Sequence, residues 1–209
     1  MPTLPPPRRP LRAASRSVDI PFAVAAWVVG FLVGNSLGIV VFALAGVDDT
    51  DSAAIGTLFA ANLAAWLAYL AGAWWASQQS GTGDPVADYR IQFAVSDLIG
   101  IPIGALTQLV VLPLLYLPLT ELWPYTFTDA KLRETAENLV DRADGAEIAL
   151  LVLMVCVLAP VVEEIVYRGM IQGSLMGRID HKVALVLSAA FFALIHFRPV
   201  EYPGLFAIG

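Results

Sequence analysis

This 209-residue chain has one cysteine, two histidines and little charge of either sign. The single cysteine, Cys156, excludes an intramolecular disulfide and leaves the redox compartment open. It lies in an apolar run, where a small buried packing residue is expected. Charged residues make up 14% of the chain, against about 25% in ordinary soluble domains. With 58% hydrophobic residues and a mean hydropathy of +0.72, that shortage excludes an ordinary soluble fold. Lys and Arg total 12 and form no basic face, so nucleic acid is excluded as a partner. The formal net charge of -6 says little about partners, because the acids gather in two loops.

What the chain does have is a succession of long apolar runs. Residues 1–19 are rich in proline and arginine and cannot bury a core, so a disordered tail is expected there. Arg8, Arg9, Arg12 and Arg16 precede the first run and argue that this tail is cytoplasmic. The run from Ile20 to Gly46 exceeds the roughly 7–15 apolar residues of a cleaved signal and reads as a first span. A second span, about Ala53 to Ser77, ends with Trp74 and Trp75, which suit the headgroup level. The third run, about Ile91 to Leu119, carries Pro102, Pro113 and Pro118. It reads either as one kinked span or as a span with a re-entrant end.

These runs make 20–119 an N-terminal transmembrane region, followed by a polar segment over 120–146. Within that segment Asp129 to Asp144 has Leu132, Ala136, Leu139 and Val140 on one stripe, as in an amphipathic interfacial helix; a solvated connector is the alternative. Residues 147–209 contain a fourth span to about Arg178, a turn with His181 as a solvated residue, and a fifth span from Val183 to Phe197. Tyr202 then opens an apolar stretch that stops in mid-pattern at Gly209, so the chain is expected to continue. The Gly30/Gly34 and Gly100/Gly104 pairs have the spacing of small-residue helix contacts, and Asn35 and Asn62 are expected to bond between helices. The fold class expected is all-α: a polytopic transmembrane helix bundle with an amphipathic interfacial helix.

Two adjacent acids, Glu163 and Glu164, interrupt the fourth run. An ionisable residue at membrane depth costs roughly 2.5–3.5 kcal/mol on insertion scales, so a polar cavity within the bundle is expected around them. Arg168 stands four residues after Glu164, in the favourable order for a helical ion pair. Glu163 points about 100° away around the helix and is freer to act as a base. Pro160 cannot donate a backbone bond to Cys156, which loosens the helix ahead of the acids. Glu163 lies about 17 residues before the turn and His196 about 15 after it. At ~1.5 Å per residue those depths agree within about a helical turn, so an antiparallel pair sets them opposite each other. Phe192, on the face of His196, would wall the cavity. The plainer readings are an interfacial Glu164–Arg168 salt bridge and a satisfied interface histidine.

Glu163 to Arg168 fits the EExxxR motif, and Phe192 to His196 the FxxxH motif, of the CAAX-protease and bacteriocin-processing membrane proteins, which residues from about 130 to 209 resemble. The resemblance implies an intramembrane endopeptidase acting on a peptide or protein substrate in the lipid bilayer, set in a bacterial plasma membrane. It implies that Glu163 activates the attacking water, that His196 holds that water or a zinc ion, and that Glu164 and Arg168 support the site. The family's third motif, a histidine followed four residues later by Asn or Asp, has no counterpart between Phe197 and Gly209. Either the chain continues past Gly209 or this is an inactive membrane immunity or partner protein. A transporter using Glu163 and His196 as a proton relay is the reading from another class.

Overall fold

Pro21, in the first turn of the first helix, costs that helix no bond, because the first N–H groups of a helix have no partner within it. That helix, α1, runs Ile20–Leu44 in a computed structural model that describes residues 18–209. The tail expected over 1–19 lies outside the described residues except for Val18 and Asp19. Gly46, at φ +68°, ends α1. Its N–H bonds to Ala43 O (3.2 Å) and that of Val47 to Phe42 O (3.0 Å), the paired bonds of a left-handed helix cap.

The other helices are α2 (Ile55–Ser80), α3 (Val95–Leu122), α4 (Asp129–Asp141), α5 (Ala146–Met176), α6 (His181–Leu194) and α7 (Tyr202–Ile208). A single turn, Pro85–Asp88, lies between α2 and α3. Every regular element among the described residues is helical, and α1, α2, α3 and α5 are long and apolar enough to cross a membrane. The protein is an all-α polytopic bundle, as expected.

Helix α6 departs from the span expected over Val183–Phe197. It has 14 residues. At 1.5 Å per residue that is about 21 Å, less than the ~30 Å hydrocarbon core. It stops at Leu194 because Phe197 turns to φ +53°, a left-handed conformation that is uncommon for a bulky side chain. The third run is one continuous helix, Val95–Leu122.

Helices α1 and α2 form the tightest pair, and small residues are the reason. A Cβ on Gly72 would sit 2.7 Å from the backbone oxygen of Ala26; one on Gly34 would sit 3.0 Å from the Cα of Ala65. The Gly30/Gly34 pair is therefore a contact stripe, whereas Gly100 and Gly104 have nothing within 4 Å. The spacing is the same in both pairs, but only one has a partner helix. Asn35 and Asn62 bond to Phe31 O (2.7 Å) and Leu58 O (2.9 Å), each within its own helix and not between helices. A side-chain amide can reach back to the i−4 carbonyl, which meets its need for a partner locally.

The core lies where α1, α2 and α5 converge: Ala23, Ala26, Ala73, Ala76, Val162, Val166 and Met170 are buried together, with Phe191 of α6 against them. Cys156 is not part of it. The expected buried cysteine is exposed among the described residues. A second cluster joins Ile55, Leu151 and Met154 to Leu139 of α4. Helix α4 starts on Thr128, whose hydroxyl accepts from Lys131 N at 3.2 Å. Of its expected apolar stripe, Leu132 and Leu139 are partly covered and Val140 is 62% exposed.

The loop after α2 is locked by buried polar groups. Ser77 Oγ donates to Asp88 Oδ2 at 2.6 Å, and Thr82 N–H donates to the same carboxylate at 3.0 Å. Tyr89 donates to Ala73 O, and burial, with the Asp88 charge beside it, pushes its hydroxyl far above the ordinary tyrosine range. Gly169 of α5 approaches this residue so closely that a Cβ would lie 2.8 Å from the Cβ of Tyr89.

Candidate active site

The backbone of α5 widens twice. Residues Leu153–Leu158 and Glu164–Gln172 are π-helical, and the first stretch ends two residues before Pro160. Helix α3 repeats the arrangement, with Thr107–Val111 π-helical ahead of Pro113. A proline ring clashes with the carbonyl four residues back and has no N–H to offer it, and a wider turn relieves both problems. The second stretch of α5 contains no proline. It begins on Glu164 and holds Tyr167 and Arg168, and such widened turns concentrate at functional sites.

Glu163 is half-buried and lines two neighbouring spaces. The smaller, about 70 Å³, is bounded by Glu163, His196, Tyr167, Val162, Val166 and Ile195, with Trp66 and Tyr69 of α2 closing it. The carboxylate and the imidazole that the sequence sets at equal depth thus line one chamber. The larger, about 250 Å³, is lined by Glu163, Glu164, Arg168, Tyr167, Pro160, Ser188 and Phe192, with Ile208 and Gly209. Glu163 and Tyr167 are common to both.

His196 lies two residues beyond the end of α6. Its Nδ1 is 2.7 Å from the carbonyl oxygen of Phe192, and its ring stands edge-on to the Phe192 ring at 4.7 Å between centroids. A carbonyl can only accept, so Nδ1 carries the proton and the neutral ring keeps its lone pair on Nε2. Phe192 therefore sets the tautomer as well as walling the larger cavity. It packs in turn on Tyr167, edge to face at 5.3 Å.

Arg168 and Glu164 form an ion pair at 3.2 Å, and Arg168 also donates to Ile208 O at 2.9 Å. The pair is not buried: the side chains are 49% and 61% exposed. The pair stands on the edge of α5 that lines the larger cavity.

Several residues of the site have no motif to announce them. Tyr167 is four positions after Glu163, and that helical spacing was the available signal. Gln172 donates to Ser188 Oγ at 3.0 Å across the buried α5–α6 contact. Trp66 and Tyr69 arrive from α2, about a hundred residues earlier, with no local signal at all.

A zinc ion is tested against the donor set. A catalytic zinc takes three protein ligands and a water. Glu163 and His196 are two, and among the described residues no group of three His, Cys, Asp or Glu side chains comes together. The residues present do not fit a zinc centre.

An apolar bundle that keeps a half-buried carboxylate and an imidazole around one water-sized space defines an integral membrane protein with a built polar site. Residues 145–209 match the family model described as type II CAAX prenyl endopeptidase Rce1-like, which agrees with the CAAX-protease and bacteriocin-processing family expected from the two motifs. The match covers this segment alone, which is similar to that family of membrane endopeptidases. No curated protein and no solved structure matches the chain.

Proposed function

We propose that the protein hydrolyses a peptide bond at the membrane with a water activated by Glu163. The observation that carries this reading is the shared chamber of Glu163 and His196. A buried water needs at least about 10–15 Å³, so 70 Å³ admits water or a carbonyl oxygen but no peptide. The larger cavity, reached past Glu163, Tyr167 and Arg168, would take the chain to be cut.

The step follows from the donors and acceptors. His196 Nε2 accepts from the water while the Glu163 carboxylate removes a water proton. The water oxygen bonds to the scissile carbonyl carbon, and the carbonyl electrons move to its oxygen. When that oxyanion collapses, the C–N bond breaks and the amine leaves with the proton that Glu163 took. One water is consumed, and one acid and one amine are formed. Glu164 and Arg168, paired at the cavity edge, would hold the site's charge and position the substrate backbone. An amino terminus on the cytoplasmic side of a bacterial plasma membrane is part of this reading and rests on the arginines before α1.

Purified protein in detergent, given a fluorogenic peptide that ends in a farnesylated CAAX sequence, should cleave it. Glu163→Gln should lower kcat by about 10²–10⁴-fold, the usual contribution of a positioned general base, without changing thermal unfolding. Wild-type turnover in that variant would overturn the proposal.

A further inference from the structure

His196 lines the chamber from beyond the end of α6, on the connector 195–201 that leads to α7. A loose connector would spread the imidazole over many positions. This one is two tight turns: His196 N–H bonds to Ala193 O at 3.3 Å, and Glu201 N–H to Arg198 O at 2.9 Å. Between them the left-handed backbone of Phe197 redirects the chain. What ties the connector down comes from helices that carry neither hydrolytic motif.

The firmest tie is Tyr116 of α3. Its hydroxyl donates to Val200 O at 3.0 Å and accepts from Gly204 N–H at 3.1 Å. A carbonyl can only accept and a backbone N–H can only donate, so both roles of the hydroxyl are fixed. The second bond uses one of the first N–H groups of α7, which have no partner within that helix. Gly204 permits the approach, since a Cβ there would lie 3.0 Å from the Tyr116 oxygen. Thr135 of α4 adds a longer bond to Glu201 at 3.4 Å, and Glu201 is paired with Arg198 at 3.1 Å. Phe31 of α1 packs on Phe197 with ring centroids 6.3 Å apart.

We infer that Tyr116 is a positioning residue for the hydrolysis: by stapling the connector to the start of α7, it fixes where the His196 imidazole stands in the chamber. This rests on the hydrolytic reading above and deepens it. Phe192 sets which ring nitrogen carries the proton, and Tyr116 sets where the backbone under the ring lies. Helix α3 thereby acts on a chamber that it does not line. Groups that share one water must be held in register, and a misplacement of about 1 Å can cost about 10²-fold in rate.

The chain has two histidines, so labelling their ring nitrogens for NMR reads the position directly. In untagged protein His196→Ala assigns the ring of the site, and exposed His181, at the start of α6, is the internal control. In Tyr116→Phe the His196 resonances should move and those of His181 stay. On the farnesylated peptide kcat should fall about 10–10²-fold, with KM and the thermal midpoint unchanged. Thr135→Val, which removes the longer bond, should move the same resonances less and lower kcat less. Unmoved His196 resonances, or wild-type kcat in Tyr116→Phe alongside an inactive Glu163→Gln, would overturn this inference alone. Movement of both histidines with a lowered thermal midpoint would mean that Tyr116 merely holds the fold, and would overturn it too. Cleavage retained by Glu163→Gln overturns the hydrolytic reading and this inference with it.

Discussion

Helices α2 and α3 are both long and apolar enough to cross a membrane, yet they have opposite fates in the fold. Helix α2 buries Ile55, Ala61, Ala73, Ala76 and Ser77 against its neighbours and puts Trp66 and Tyr69 into the chamber. Helix α3 has the higher mean hydropathy, 2.1 against 1.4, and none of its residues is buried. Its firm tie is Tyr116, which donates to Val200 O at 3.0 Å and accepts from Gly204 N–H at 3.1 Å. Hydropathy therefore records what a helix tolerates outside, not what it touches. In a lipid environment no hydrophobic drive brings helices together, and close packing of small residues does that work. Helix α2 has such residues facing a partner; α3 has them facing open space.

That contrast can be broken from either side. The largest stability effect is expected at Gly72→Ala, where the new methyl meets backbone and not a movable side chain. A loss of about 1–3 kcal/mol, the cost of overpacking, should appear as a lower thermal midpoint in detergent. An unchanged midpoint would mean that α1 and α2 are not held so close. Next comes Ser188→Ala in the α5–α6 contact. It leaves the buried Gln172 amide without its acceptor, which should cost about 1–3 kcal/mol, and Gln172→Leu added to it should recover part of that loss. The smallest effect belongs to Gly104→Ala in α3. With nothing within 4 Å, it should be neutral or stabilise by up to about 1 kcal/mol through helix propensity. A clear destabilisation there would show that α3 has a partner face after all.

The same contrast explains how much of the molecule was legible in the sequence. The spans were readable because apolar length is a local property, and the meeting of Glu163 with His196 was readable because helical rise converts residue counts into depth. Contacts between helices distant in the chain were not. Gly30/Gly34 and Gly100/Gly104 have one spacing and two outcomes, since the spacing carries no information about which face meets a neighbour. Cys156 looked buried from its run, but only the placement of α5 decides which of its faces is covered. The end of α6 escaped notice because it depends on Phe197 adopting a left-handed backbone, which no propensity favours. Tyr69 lines the chamber from α2, a helix that no local pattern around Glu163 announces.

The central claim is that Glu163 and His196 act on one water. It is tested most directly by a double-mutant cycle on peptide cleavage with Glu163→Gln, His196→Ala and the pair together. Residues serving a single step do not contribute independently, so the double variant should be no slower than the slower single one. Losses that multiply would contradict a shared water and place the two groups in separate roles.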